Sequence, residues 1–243
     1  MIRFFRNIRK QLFSENKFSK YLLYALGEII LVVVGILIAL QLNNWSQQKQ
    51  DRHREQLILK QLNSEFQNNK QLFELGRSTY QTKLEACNKV ISFFPLPEEQ
   101  KADSIVKYFQ GIFQSYMYNP SNGLVESLLY SSSIEVIQND SLKHLLTSWK
   151  DVVTDYQEEE SIVVNELRSL EKFIQEEMDF TQMTRTGIKG EKNFKTLNTI
   201  QFQNAIIKIQ FSTAQLLQAM EEEDIDQHLQ SIIRQSEQEL THN

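Results

Sequence analysis

The chain has 243 residues, a formal net charge of -5 and a mean hydropathy of -0.41. Seven Gly, three Pro and one Cys are few for this length, since ordinary domains carry about 7% Gly and 5% Pro. Scarce breakers predict long helices, and a single cysteine excludes an internal disulfide and a multi-thiolate metal site.

The charge is divided along the chain. Residues 1–20 carry Arg3, Arg6, Arg9, Lys10, Lys17 and Lys20 against Glu15, a side-chain net of +5, so the rest sums to -10. A basic start and an acidic body argue against nucleic acid as a partner and fit a membrane-anchored protein with a basic cytoplasmic end. Met1, Phe5, Ile8 and Leu12 recur at helical spacing between those cations, the pattern of a short amphipathic segment lying on an anionic leaflet.

Residues 21–42 are almost wholly apolar, with only Glu28 and Gln41 strongly polar. As a helix this run reaches roughly 33 Å, against a hydrocarbon core of about 30 Å. It is longer than the apolar part of a cleaved signal peptide and lacks a small-x-small cleavage site, so it reads as an uncleaved anchor. The positive-inside rule places residues 1–20 in the cytoplasm and the remainder across the membrane, with Trp45 at the far interface. Gly27, Leu31, Gly35 and Ala39 form an i,i+4 stripe bordered by Glu28. Small stripes let helix backbones approach closely, and an acid in the span costs about 2.5–3.5 kcal/mol on insertion scales. These five residues therefore form the candidate helix-packing surface, toward another integral membrane protein or a second copy of the span.

Residues 43–60 form a polar juxtamembrane helix and residues 61–243 a helical domain. Asn43 to Phe94 reads as one helix, in which Leu62, Phe66, Phe73, Tyr80, Leu84, Cys87 and Ile91 make a near-heptad seam broken at Asn69 and Gly76. Cys87 lies in this apolar register and is expected to be a buried thiol. Pro95 and Pro97 end the helix. Residues 101–118 are expected to form a second helix whose rings, Tyr108, Phe109, Phe113 and Tyr116, mark a candidate ligand or partner groove. Asn119 to Gly123 is a turn, residues 124–130 a short helix, and Ile134 to Ile137 an apolar linker or short strand. Asn139-Asp-Ser141 caps a long helix expected to reach about Met183. Residues 184–195 read as a mobile loop, and residues 197–240 as helix. Glu158-Glu-Glu160 and Glu221-Glu-Glu-Asp224 read as solvated acidic faces.

Ser14-Glu-Asn-Lys17, Tyr24-Ala-Leu-Gly-Glu28-Ile and Gly35-Ile-Leu-Ile-Ala-Leu-Gln41 through Asn43-Asn-Trp45 resemble a family of uncharacterised bacterial membrane-anchored proteins. The Ser131–Leu142 segment is similar to that family's outer domain. The family is typical of Gram-negative bacteria, so the resemblance implies a single-pass inner-membrane protein with its outer domain in the periplasm; it implies no activity.

The expected fold is all-α, one transmembrane helix followed by an antiparallel periplasmic bundle of long helices. The sequence holds none of the common nucleophile, phosphate-loop, dinucleotide or zinc-protease motifs. The histidines at 53, 144, 228 and 242 have no i,i+3 or i,i+4 pairing that would hold a metal. Neither cofactor nor catalytic residue is expected. The leading functional expectation is a non-enzymatic structural, accessory or scaffold subunit of a cell-envelope complex, acting through its span and its helical domain. The alternative is a periplasmic sensor or ligand-binding module that signals to a separate membrane partner.

Overall fold

The computed structural model describes residues 18–96, 103–184, 187–222 and 224–241. The chain divides into two units, residues 1–55 and residues 56–243. Helix α1, Phe18–Ile91, is 74 residues long and supplies the described part of the first unit and the first element of the second.

In the first unit, residues 26–50 of α1 are all exposed. The run is long and apolar enough to cross a membrane. A helix that is apolar all round and bare in water has no partner for its hydrophobic surface except lipid or another chain. Polar i,i+3 and i,i+4 pairs follow it: Gln47 donates to Asp51 at 3.2 Å, and Arg52 pairs with Glu55 at 2.9 Å.

The second unit adds α2 (Asp103–Phe113), α3 (Gly123–Tyr130), α4 (Asp140–Glu177), α5 (Glu191–Leu197), α6 (Ile200–Glu222) and α7 (Asp224–Thr241). A ribbon of two-residue strands, β1 (Met183–Thr184) and β2 (Gly187–Ile188), pairs antiparallel between α4 and α5. Among the described residues, regular structure other than helix is confined to this ribbon. Helix α4 packs along both α6 and α7. Along α1, Gln56 bonds Glu239, Asn63 bonds Ile233 and Ser236, and Arg77 pairs with Asp226. Partner numbers fall as α1 numbers rise, so α1 and α7 run in opposite directions.

Four boundaries differ from the sequence reading. Helix α2 stops at Phe113, and residues 114–122 have no regular secondary structure. Of the two readings of Ile134 to Ile137, an apolar linker or a short strand, the strand is not formed: Ser133–Val136 is a 3-10 turn. Helix α4 ends at Glu177, six residues before Met183. Residues 184–195, expected to be a loop, contain β2 and most of the first turns of α5. They are tied back by Asn193, which is fully buried and bonds the Asp179 backbone on both its N–H and C=O and the Lys189 carbonyl. The cap on α4 is as expected: the Asn139 side chain accepts from Leu142 N at 3.0 Å. Asn139→Ala is expected to cost about 1 kcal/mol, a drop of roughly 2–4 °C in melting temperature for a domain of this size, read by thermal denaturation of the full chain in detergent.

Two apolar clusters form the interior. One gathers Leu59 to Tyr80 of α1, α3, the first half of α4, the end of α6, and α7; the other gathers Ala86 to Val90, α2, the second half of α4, α5 and the start of α6. Buried polar residues mark the change along two helices: Lys83 falls between the two α1 contributions, and Ser212 and Thr213 between the two from α6, while Glu160 lies within the first cluster.

Candidate functional site

Residues 114–122 form a strap lying between α1 and α4. An irregular segment inside a helical domain has no ladder of its own, so its backbone groups need side-chain partners. They have them. Lys83 donates to the carbonyls of Ile112 and Gln114, and Tyr80 Oη to that of Tyr116 at 2.8 Å. Asn69 takes both backbone groups of Ser121, at 2.8 and 2.9 Å. From α4, Gln157 donates to the Tyr118 carbonyl at 2.7 Å, Glu160 accepts from Tyr118 N at 2.8 Å, and Trp149 donates to the Asn122 side chain at 2.7 Å. Gly76 makes room for the Tyr116 ring: a Cβ there would sit 2.7 Å from it.

The two breaks in the α1 seam, Asn69 and Gly76, are therefore docking points for the strap. Lys83 is the third, seven residues on again. Glu160 was read as solvated, yet it is fully buried, while Glu158 and Glu159 are exposed. A signal for this was present: Trp149, Val153, Tyr156, Glu160, Val163 and Leu167 alternate at spacings of four and three, so Glu160 occupies a core register.

Burial pushes the Glu160 carboxyl above its ordinary value, opposed by its bonds from Tyr118, Tyr80 and Tyr156. Tyr80 Oη lies 2.8 Å from the Tyr116 carbonyl and 3.0 Å from Glu160 Oε1, and its one proton serves one acceptor at a time. Burial also raises Glu65, whose carboxyl accepts from Leu124 N at the start of α3. It lowers Lys83 to about 8 and pushes the Cys87 thiol up to about 12, which makes Cys87 a poor nucleophile.

A carboxyl raised by folding stabilises the fold below its ordinary value and loses that contribution as pH climbs through the raised one. Glu65 and Glu160 act in that sense from 4.5 upward. A lysine lowered by folding does the opposite, so Lys83 adds stability as pH rises from about 8 toward 10.5. The buried phenols of Tyr80, Tyr118 and Tyr156 are raised and reverse this gain above their ordinary 10.0. Urea titrations across pH are expected to show the advantage of wild type over Glu160→Gln shrinking above pH 4.5. A rise between about pH 8 and 9, before the raised Cys87 thiol begins to offset it, is expected to vanish in Lys83→Met.

The candidate groove residues separate. Phe109 is buried, its ring centroid 5.6 Å from that of the partly buried Phe113. Tyr116 belongs to the strap and donates to the Leu72 carbonyl. Tyr108 alone of the four lines a surface groove of about 600 Å³ between α1 and α2, with Glu85, Ala86, Lys89, Lys107 and Gly111 also on its wall.

In the apolar part of α1, a Cβ built on Gly27 or Gly35 meets nothing within 4 Å among the described residues, and Leu31 is 70% exposed. Glu28 and Ala39 are exposed on the same helix. Trp45 is exposed, with the Lys49 ammonium 5.9 Å from its ring centroid. Lys20 lies in the first turn of α1; Arg3, Arg6, Arg9, Lys10 and Lys17 lie outside the described residues. Among the described residues, no group of three or more His, Cys, Asp or Glu is arranged to hold a metal ion.

Residues 28–202 match a family described only as a family of unknown function, DUF6090. The chain belongs to DUF6090. The match opens inside the apolar run at Glu28 and ends at Phe202, in the first turn of α6. It thus takes in the strap, its partners on α1 and α4, and the groove beside Tyr108. No curated protein and no solved structure matches the chain.

Proposed function

We propose that this chain is a non-enzymatic, single-pass subunit of a bacterial inner membrane, acting as an accessory or scaffold component of a cell-envelope complex. Residues 1–20 stay in the cytoplasm, where their cations meet the anionic leaflet. The helical domain, an antiparallel bundle, lies in the periplasm. One observation carries the reading: α1 bears a bare apolar run whose small residues, Gly27 and Gly35, would meet nothing within 4 Å of an added Cβ among the described residues. In lipid such a face associates by close backbone packing, so Gly27, Glu28, Leu31, Gly35 and Ala39 are assigned to contact another integral membrane protein or a second copy.

The test is cross-linking in native membranes followed by purification in mild detergent, with wild type and Gly35→Leu compared. Wild type is expected to retain a partner or a second copy and the variant to lose most of it. If wild type retains neither, the reading fails. Protease added to spheroplasts is expected to degrade the helical domain; protection of that domain overturns the orientation.

The groove beside Tyr108 supports a second reading, a periplasmic sensor or ligand-binding module signalling to a separate membrane partner. Its volume falls within the range of about 300–1,000 Å³ typical of small-molecule sites.

A further inference from the structure

The groove between α1 and α2 carries a local excess of positive charge on a chain whose net charge is -5. Among the described residues, its wall holds Lys89 and Lys107 against one carboxylate, Glu85. The two helices run in opposite directions, since Lys83 meets Ile112, Ala86 meets Gly111 and Phe93 meets Tyr108. Lys89 and Lys107 therefore stand toward one end of the groove, and Thr82 and Gln114 toward the other. Ala86 and Gly111 form the floor. A Cβ on Gly111 would come within 3.0 Å of Ala86 Cβ, so the missing side chain lets the helices close while leaving the space above them open.

The rim is held in place before any ligand arrives. The Lys107 ammonium lies 4.8 Å from the Tyr108 ring centroid, and that ring lies 6.1 Å from Phe93. Asn88, also on the wall, accepts from Gln210 of α6 at 3.2 Å. Side chains already ordered cost less to engage.

We propose that this groove binds a small organic carboxylate that also bears an amide, with the carboxylate between Lys89 and Lys107 and the amide toward Thr82 and Gln114. Two ammonium groups and one carboxylate match a monoanion, and Glu85 repels a polyanion. At the far end the Gln114 side chain can pair with an amide, while the Thr82 hydroxyl donates to the Ser78 carbonyl at 3.0 Å and its methyl faces Gly111, against the amide's own methyl or backbone carbons. This assignment rests on the ligand-binding reading above.

The experiment is saturation-transfer NMR on the full chain in detergent, with N-acetyl-L-alanine as the probe and its uncharged methylamide as the comparison. Wild type is expected to saturate the acid and to bind the methylamide at least tenfold more weakly. The double variant Lys89→Met/Lys107→Met is expected to lose about tenfold for the acid, as two exposed charge contacts allow. Thr82→Trp, at an exposed position, fills the groove from its rim without disturbing the interior and is expected to abolish binding. Equal binding of acid and methylamide, both blocked by Thr82→Trp, overturns the carboxylate assignment and leaves a ligand site standing. Absence of saturation from both probes, or binding unchanged by every variant, overturns the assignment and the ligand-binding reading together.

Discussion

Alanine in place of Glu160 is expected to destabilise the domain of residues 56–243 by about 3–5 kcal/mol, because the loss leaves Tyr118 N–H and Tyr156 O–H unpaired in a dry interior at roughly 1–3 kcal/mol each, plus a cavity. Tyr80 retains an acceptor, the Tyr116 carbonyl. For a domain of this size the melting temperature should fall by about 10 °C. Glutamine keeps the shape and can donate to Tyr80 Oη, so Glu160→Gln is expected to cost only about 1 kcal/mol. Urea unfolding of the full chain in detergent, followed by far-ultraviolet circular dichroism, measures both. A loss below about 1 kcal/mol for the alanine variant would show that the strap does not depend on this carboxyl.

Phe73→Ala should cost a similar amount for a different reason. The Phe73 ring is fully buried; its centroid lies 5.6 Å from those of both Tyr118 and Tyr156, edge-on, and the Arg77 guanidinium lies 5.2 Å from it. Truncating a buried Phe to Ala costs about 3–5 kcal/mol through lost transfer energy and cavity, and each edge-on ring pair adds about 0.5–1.5 kcal/mol. Phe73 and Glu160 share Tyr118 and Tyr156 as neighbours, so their effects should not add. A double-mutant cycle is expected to give a coupling of about 0.5–3 kcal/mol. Simple additivity would mean that the ring cluster and the carboxyl act independently.

Periodicity made the helices legible because it records which face is buried. The long first helix, the capped α4 and the helical end of the chain all follow from apolar residues at three- and four-residue spacing. The end of α2 was not legible, since Tyr116 and Tyr118 continue the ring pattern of Tyr108 to Phe113 although the backbone has left the helix. What stops the helix is remote. Lys83 and Tyr80 on α1 and Glu160 on α4 capture the backbone groups that a further helical turn would have satisfied internally. The same remoteness hid Glu160, because three consecutive glutamates suggest solvent and only tertiary packing selects the third. Asn69 and Gly76 looked like flaws in a seam; they are the positions where an amide and an absent side chain receive a crossing segment.

Trp149 is 1% exposed. Its ring meets Phe66 of α1 edge-on at 5.0 Å and stacks with His228 of α7 at 6.1 Å, while its indole N–H holds Asn122 at the end of the strap. Two tryptophans occur in the chain, and the other, Trp45, is exposed beside the apolar run. Nature has thus installed a fluorophore where α1, the strap, α4 and α7 converge. Replacing Trp45 with phenylalanine would leave one emitter, and its colour and lifetime would follow the joining of those four segments in real time, without any dye or label.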